Sequence, residues 1–173
     1  IICCPLLQYV FCIAGRHRGL SPKFKRNLRK TKRSVNDMVI GYTTGVFDMF
    51  HIGHLNLIKN AKRRCDYLIV GVNTDELVES YKNKRPIVPL EERAEIVRSI
   101  KYVDEVIITN TLDKKEIWDK IRFDEIYIGD DWKGNARWEK TGKEMEELGA
   151  KLVFLPYTKD TSSTMLREKL KEF

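Results

Sequence analysis

The chain has 173 residues, 42% of them apolar and 33% charged, which is enough for one globular core and leaves no room for two domains of ordinary size. Its formal charge of +7 is unevenly placed: residues 1–37 hold nine Lys or Arg and one Asp, a net +8, whereas the other 136 residues hold 23 basic and 24 acidic side chains, a net −1. A nucleic-acid-binding body is thereby excluded, because any basic interface would belong to the first 37 residues alone.

Those 37 residues run from an apolar stretch, Ile1 to Ala14, into a basic one, Arg16 to Arg33. A secretory signal has the opposite order, and the apolar run is short of the ~20 residues that span a bilayer. No Met precedes Met38, which stands directly ahead of the first convincing strand. Residues 1–37 are therefore read as a non-native or disordered basic tail and 38–173 as a single domain, with a membrane-surface anchor as the rival reading of the tail. Cys3, Cys4 and Cys12 lie in the tail and only Cys65 beyond it. One thiol cannot staple a domain, so the body reads as cytoplasmic and reduced, with Cys65 as a buried packing residue and no membrane contact.

From Met38 onward, short runs rich in Val, Ile, Leu and Tyr predict strands at Val39–Thr43, Tyr67–Val72, Glu105–Ile108, Glu125–Ile128 and Lys151–Leu155. Helical periodicity predicts His54–Arg64, Leu90–Ser99, Lys114–Lys120 and Arg137–Leu148, with a last helix from Ser163 onward; Gly149 marks a helix stop. Steady alternation of strand and helix implies a Rossmann-like α/β fold, a doubly wound parallel sheet of about five strands. Ligands of such sheets lie beyond the carboxyl ends of the strands.

The loop after the first strand is the most informative stretch: Thr43-Thr44-Gly45-Val46-Phe47-Asp48-Met49-Phe50-His51-Ile52-Gly53-His54. Gly45 is expected to supply a tight backbone turn near a ligand, and Gly53 to leave a phosphate room at the helix start. His51 and His54, three residues apart at a helix head, point the same way and sit at the positive end of the helix dipole, a combination suited to a polyphosphate. The alternative that both only pack or cap the helix is set against their setting between glycines at a strand-to-helix junction. A zinc site lacks a third ligand at a recognisable spacing, so no protein metal cage is expected.

The run from Gly45 to His54 resembles the G-x-F-D-x-x-H-x-G-H signature of the cytidylyltransferase-like nucleotidyltransferases. The resemblance covers nearly all of 38–173 and extends to Val72-Asn73-Thr74-Asp75-Glu76, Lys101-Tyr102-Val103-Asp104-Glu105-Val106, Gly129-Asp130-Asp131-Trp132 and Thr161-Ser162-Ser163-Thr164. In combination these look closest to bacterial glycerol-3-phosphate cytidylyltransferases and their capsule- or wall-precursor relatives, whereas the histidine core alone is shared with ATP-using enzymes.

The resemblance implies transfer of CMP from CTP to a small phosphorylated alcohol, with glycerol 3-phosphate leading, to give CDP-glycerol and pyrophosphate. His51, His54 and Lys82 would stabilise the transferring phosphoryl group. Gly45, Val46, Phe47, Asp48, Gly53, Asp131, Trp132, Thr158, Ser162, Ser163 and Thr164 would bind the nucleotide; Lys84 and Lys115 would bind the acceptor, Lys114 being the other candidate. It also implies Mg2+ held mainly by nucleotide phosphates, and a homodimer with Lys101–Val106 near its interface.

Two departures stand out. The family's R-T-E-G-I-S-T-T stretch is Tyr157-Thr158-Lys159-Asp160-Thr161-Ser162-Ser163-Thr164 here, which replaces a guanidinium by a phenol, and the family Arg before Tyr102 is Lys101. The base also stays open, because Arg85-Pro86-Ile87-Val88-Pro89-Leu90-Glu91-Glu92-Arg93 resembles a loop of ATP-using sugar-phosphate nucleotidyltransferases. A non-catalytic nucleotide-binding module is the remaining alternative.

Overall fold

A computed structural model describes residues 38–159 and 161–172, so the reading of residues 1–37 as a tail lies outside the described residues. Five strands, β1 (Ile40–Gly45), β2 (Tyr67–Asn73), β3 (Glu105–Thr109), β4 (Glu125–Gly129) and β5 (Lys151–Leu155), form one parallel sheet in the order β3-β2-β1-β4-β5. The helices are α1 (Ile52–Lys62), α2 (Asp75–Lys82), α3 (Leu90–Arg98), α4 (Lys114–Ile121), α5 (Ala136–Glu147) and α6 (Ser163–Lys169).

All five expected strands are present, and their bounds differ from the expectation by no more than two residues. β2 is buried at every position, as a strand covered on both faces must be. Its alternating side chains build two cores. Tyr67 and Ile69 join Tyr42, Ile117 of α4, and Trp138 and Met145 of α5 on one face; Leu68, Val70 and Val72 join Ile58 of α1 and Ala94 and Val97 of α3 on the other. The Tyr42 and Phe123 rings stack at 5.2 Å in the first of these layers. Gly149, with φ of 80°, follows the end of α5 as expected of a helix stop.

One helix escaped the sequence reading. Asp75–Lys82 is α2, and Lys82, expected in a polar loop, closes its last turn. Thr74 caps it by accepting from the Leu77 N–H at 3.2 Å, and Asp75 and Glu76 complement its dipole. The helix ends on Asn83 in the left-handed conformation, φ 52°.

The chain winds outward from β1 through β2 to β3, then returns across the sheet to β4 and β5. β1 and β4 are therefore neighbours whose connections leave in opposite directions, and the crevice above their carboxyl ends is where such a sheet receives a ligand. The β1–α1 loop and the residues after β4 and β5 meet there.

Candidate active site

His51 is the N-cap of α1: its Nδ1 accepts from the Gly53 N–H at 3.1 Å. Accepting there leaves the proton of the neutral ring on Nε2, which faces the Ser163 Oγ at 3.4 Å. Ser163 in turn donates to the Asp48 backbone carbonyl at 2.9 Å, so its lone pairs are free to receive the imidazole N–H. The capping role that the sequence reading set aside is thus real for His51, and it fixes the tautomer that presents an N–H outward.

The His54 ring stacks on His51 at 3.8 Å between centroids, with 28° between the planes, as the three-residue spacing requires. Phe47 approaches it edge-on at 5.3 Å. Its Nδ1 is buried without a hydrogen-bond partner, which leaves Nε2 to meet a ligand. Burial, helped by the charge of the neighbouring imidazole, pushes His54 down to about 3, and burial also lowers His51. Both rings are therefore neutral at physiological pH, each carrying one N–H. The first turn of α1 holds no acidic residue, so its dipole faces the crevice unopposed.

The loop's unusual backbone does not lie where expected. Gly45 ends β1 without a left-handed angle; Phe47 and Met49 carry the positive φ values, 55° and 49°. Gly45 instead leaves room for the Phe47 ring, 3.3 Å from where a Cβ would stand. Space is tight at Gly53: a Cβ would stand 3.0 Å from the His51 ring and 3.3 Å from the Thr161 carbonyl.

Two buried charges hold the strained loop in place. The Asp48 carboxylate accepts from the Ile87 and Val88 N–H groups, at 3.1 and 3.0 Å, and pairs with Arg167 of α6. These backbone and guanidinium contacts outweigh burial and keep its pKa below the ordinary value. Expected to bind the nucleotide, Asp48 has a carboxylate already engaged by protein groups; it fastens the 85–88 segment and α6 to the histidine loop.

Arg93 is fully buried. It donates to the carbonyls of Val46, Val88 (2.9 Å) and Asn73 (2.9 Å), and pairs with Asp75 at 2.5 Å. Nothing in Glu91-Glu92-Arg93 announced this, since an Arg among acids on a helix reads as a solvated face; three of its four partners lie 18 to 47 residues away.

Lys82 and Lys84 converge on the same corner. Lowered mainly by desolvation, the Lys82 ammonium also feels the positive charges of Arg167 and Lys84 and the opposing Asp48. Arg167, missed in the sequence, adds a guanidinium beside the site on the α6 side, where Ser162 caps the helix by accepting from Met165 N–H at 3.2 Å and Thr164 is exposed.

On the other flank, β4 runs into a 3-10 turn, Asp130–Trp132. Asp131 folds back over Gly129, where a Cβ would stand 2.3 Å from its Oδ1 and 3.5 Å from the Tyr157 ring. Burial raises the Asp131 carboxyl pKa. Trp132 is exposed and meets Trp138 edge-on at 6.4 Å. Asp130 accepts from the Tyr157 N–H at 3.0 Å, and Thr158 accepts from Asn56 of α1 at 3.0 Å.

Lys115 lies at the start of α4, after β3. With Lys114, Arg137, Lys140 and Glu144 it lines a cavity of about 480 Å3 between α4 and α5. Lys114 is the buried member: its Nζ donates to the Leu112 carbonyl at 2.7 Å and lies 5.9 Å from the Trp138 ring centre, and burial brings its pKa down to about 8.

Comparison with known proteins agrees with this fold. The cytidylyltransferase-like family profile matches residues 42–169. An FAD synthase of Thermococcus kodakarensis is 43% identical over 117 residues, 65% of this chain and 76% of that enzyme. The glycerol-3-phosphate cytidylyltransferase of Bacillus subtilis is 36% identical over 130 residues, 74% of this chain and 94% of that enzyme. Among solved structures, a lipopolysaccharide core biosynthesis protein of Thermoplasma volcanium superposes with a TM-score of 0.60 at 25% identity, over 72% of this chain and 99% of that one. A parallel sheet wound in this order, with paired histidines at the head of α1 and a profile match over residues 42–169, makes the chain a member of the cytidylyltransferase-like family of nucleotidyltransferases.

Proposed function

We propose that the chain transfers CMP from CTP to the phosphate of a small phosphorylated alcohol, glycerol 3-phosphate first among them, and releases pyrophosphate. The observation that carries this reading is the stacked, neutral His51–His54 pair at the undisturbed head of α1, flanked by Lys82, Lys84 and Arg167. Likeness to the Bacillus subtilis enzyme over 94% of its length supports the acceptor class.

An oxygen of the acceptor phosphate attacks the α-phosphorus of the nucleoside triphosphate in line. The bond from that phosphorus to the bridging oxygen breaks, and the pair of electrons leaves with pyrophosphate. Charge grows on the equatorial and leaving oxygens; the His54 Nε2–H donates to them, and the His51 Nε2–H reaches them by exchanging its contact with the Ser163 Oγ, 3.4 Å away. Neither ring serves as nucleophile. Among the described residues no three His, Cys, Asp or Glu side chains meet as a metal cage. A divalent cation such as Mg2+ would be carried on phosphate oxygens, where it neutralises charge, and Lys82 and Arg167 would lie nearest to that polyphosphate.

A second reading is favoured by the FAD synthase relatives. FAD is FMN joined to AMP, so its synthesis is the same displacement with ATP as donor and a flavin phosphate as acceptor. Pyrophosphate release measured with CTP and ATP, each paired with glycerol 3-phosphate and with FMN, separates the two. Turnover confined to CTP and glycerol 3-phosphate is expected; turnover confined to ATP and FMN would replace the first reading by the second.

A further inference from the structure

Tyr157 stands where the resemblance expected a cation, and its surroundings give it different work. Its backbone is tied to the end of β4 through Asp130 at 3.0 Å, and the next residue, Thr158, is tied to Asn56 of α1 at 3.0 Å. Asn56 lies two residues beyond His54. The loop therefore spans the gap between the histidine pair and the Asp130–Trp132 turn. The ring lies 3.5 Å from where a Gly129 Cβ would stand, at the carboxyl end of β4, and the residue is 42% exposed.

The two flanks of the histidine pair differ in charge. On one side are Lys82, Lys84 and Arg167, groups that suit a polyphosphate. On the other are the neutral rings of Tyr157 and Trp132, which suit a flat base, and the Asp131 carboxylate, which repels phosphate and can accept from an amino group. With the α-phosphorus at the histidines, the phosphate tail and the nucleoside must leave in different directions, and charge sorts them. We propose that the Tyr157 ring is the stacking surface for the base of the bound nucleotide, so that this position contributes by base contact and not by phosphate contact. The proposal rests on the nucleotidyl-transfer reading above.

Base–aromatic stacking is worth about 1–3 kcal/mol by alanine substitution, or roughly tenfold and more in affinity. Calorimetry on the full chain with CTP, ATP and inorganic tripolyphosphate tests it in Tyr157→Ala and Tyr157→Phe, with thermal melting to verify folding. Tyr157→Ala is expected to weaken the preferred nucleotide about tenfold and leave tripolyphosphate within twofold, while Tyr157→Phe binds both like the parent. In turnover the alanine variant should raise KM for the nucleotide about tenfold with kcat within threefold. Equal weakening of nucleotide and tripolyphosphate, or unchanged nucleotide binding in the alanine variant, overturns the stacking role. Binding that follows the expected pattern without pyrophosphate release from any acceptor would sink the transfer reading and leave the stacking surface standing. A parent chain that binds neither CTP nor ATP sinks both.

Discussion

The histidine loop and the rim formed by Asp130–Trp132 and Tyr157 face each other across the carboxyl end of the sheet and are held in opposite ways. The loop carries two non-glycine residues at positive φ and is clamped by buried Arg93, by Asp48 and by Arg167. The rim is exposed, and one backbone hydrogen bond from Tyr157 to Asp130 joins its two halves. Strain persists only where surrounding contacts over-determine it, so the loop needs its clamps in a way the rim does not. On the proposed reading the clamped side would carry the phosphoryl chemistry and the exposed side the choice of base.

The largest effect on stability should come from Arg93→Ala. It leaves Asp75 and three carbonyls without their partner in the interior, a loss of about 3–5 kcal/mol by chemical denaturation. Arg93→Lys keeps the charge but not the fork, and should recover only part of it. A loss under 1 kcal/mol for the alanine variant would mean that the loop is held by something else.

Asp48→Ala should cost about 1–3 kcal/mol, since the Ile87 and Val88 N–H groups and Arg167 lose their acceptor. Because the histidine loop, the 85–88 segment and α6 are released together, kcat should fall more than tenfold while the fold survives, as circular dichroism can verify. Unchanged kcat would remove Asp48 from the clamp.

The acid side of the stability curve sharpens the comparison further. Burial holds His54 near 3 against an ordinary 6.5, so the unfolded chain takes up a proton that the folded protein refuses. The stability supplied by neutral His54 is complete above pH 6.5 and is lost as pH falls from there toward 3. Asp48, with a lowered pKa, acts in a separate window: its contribution is lost only below its ordinary value of 3.8. Denaturation at pH 7 and pH 5 should therefore show a decline that His54→Asn reduces and that Asp48→Asn leaves in place. The smallest effect belongs to the rim, where Trp132→Phe at an exposed position should shift stability by no more than about 0.5 kcal/mol.

The sheet was legible because its strands are short runs rich in Val, Ile, Leu and Tyr, β2 being buried at every position, and the histidine pair because three-residue spacing at a helix head has one geometric outcome. α2 was missed for want of an apolar stripe, since Val78 is its only buried residue; its Thr74 cap and acidic first turn were the signal available. Arg93 and Arg167 were not legible. Their roles are set by carbonyls and a carboxylate brought from distant loops, and no local pattern records a contact across 47 or 119 residues. The positive φ values fell on Phe47 and Met49 instead of Gly45 because tertiary clamps, not residue preference, set that backbone. The FAD synthase likeness was also unforeseen, because the signature from Gly45 to His54 was read as fixing the reaction type and not the donor or the acceptor.

The most direct test is pyrophosphate release by the full chain with CTP, Mg2+ and glycerol 3-phosphate, set beside His54→Ala. Release that requires both substrates and falls about 100-fold or more in the variant is the predicted result. Release that survives the loss of His54 undiminished would contradict the account, because the paired imidazoles would then not be the groups that stabilise the transferring phosphoryl.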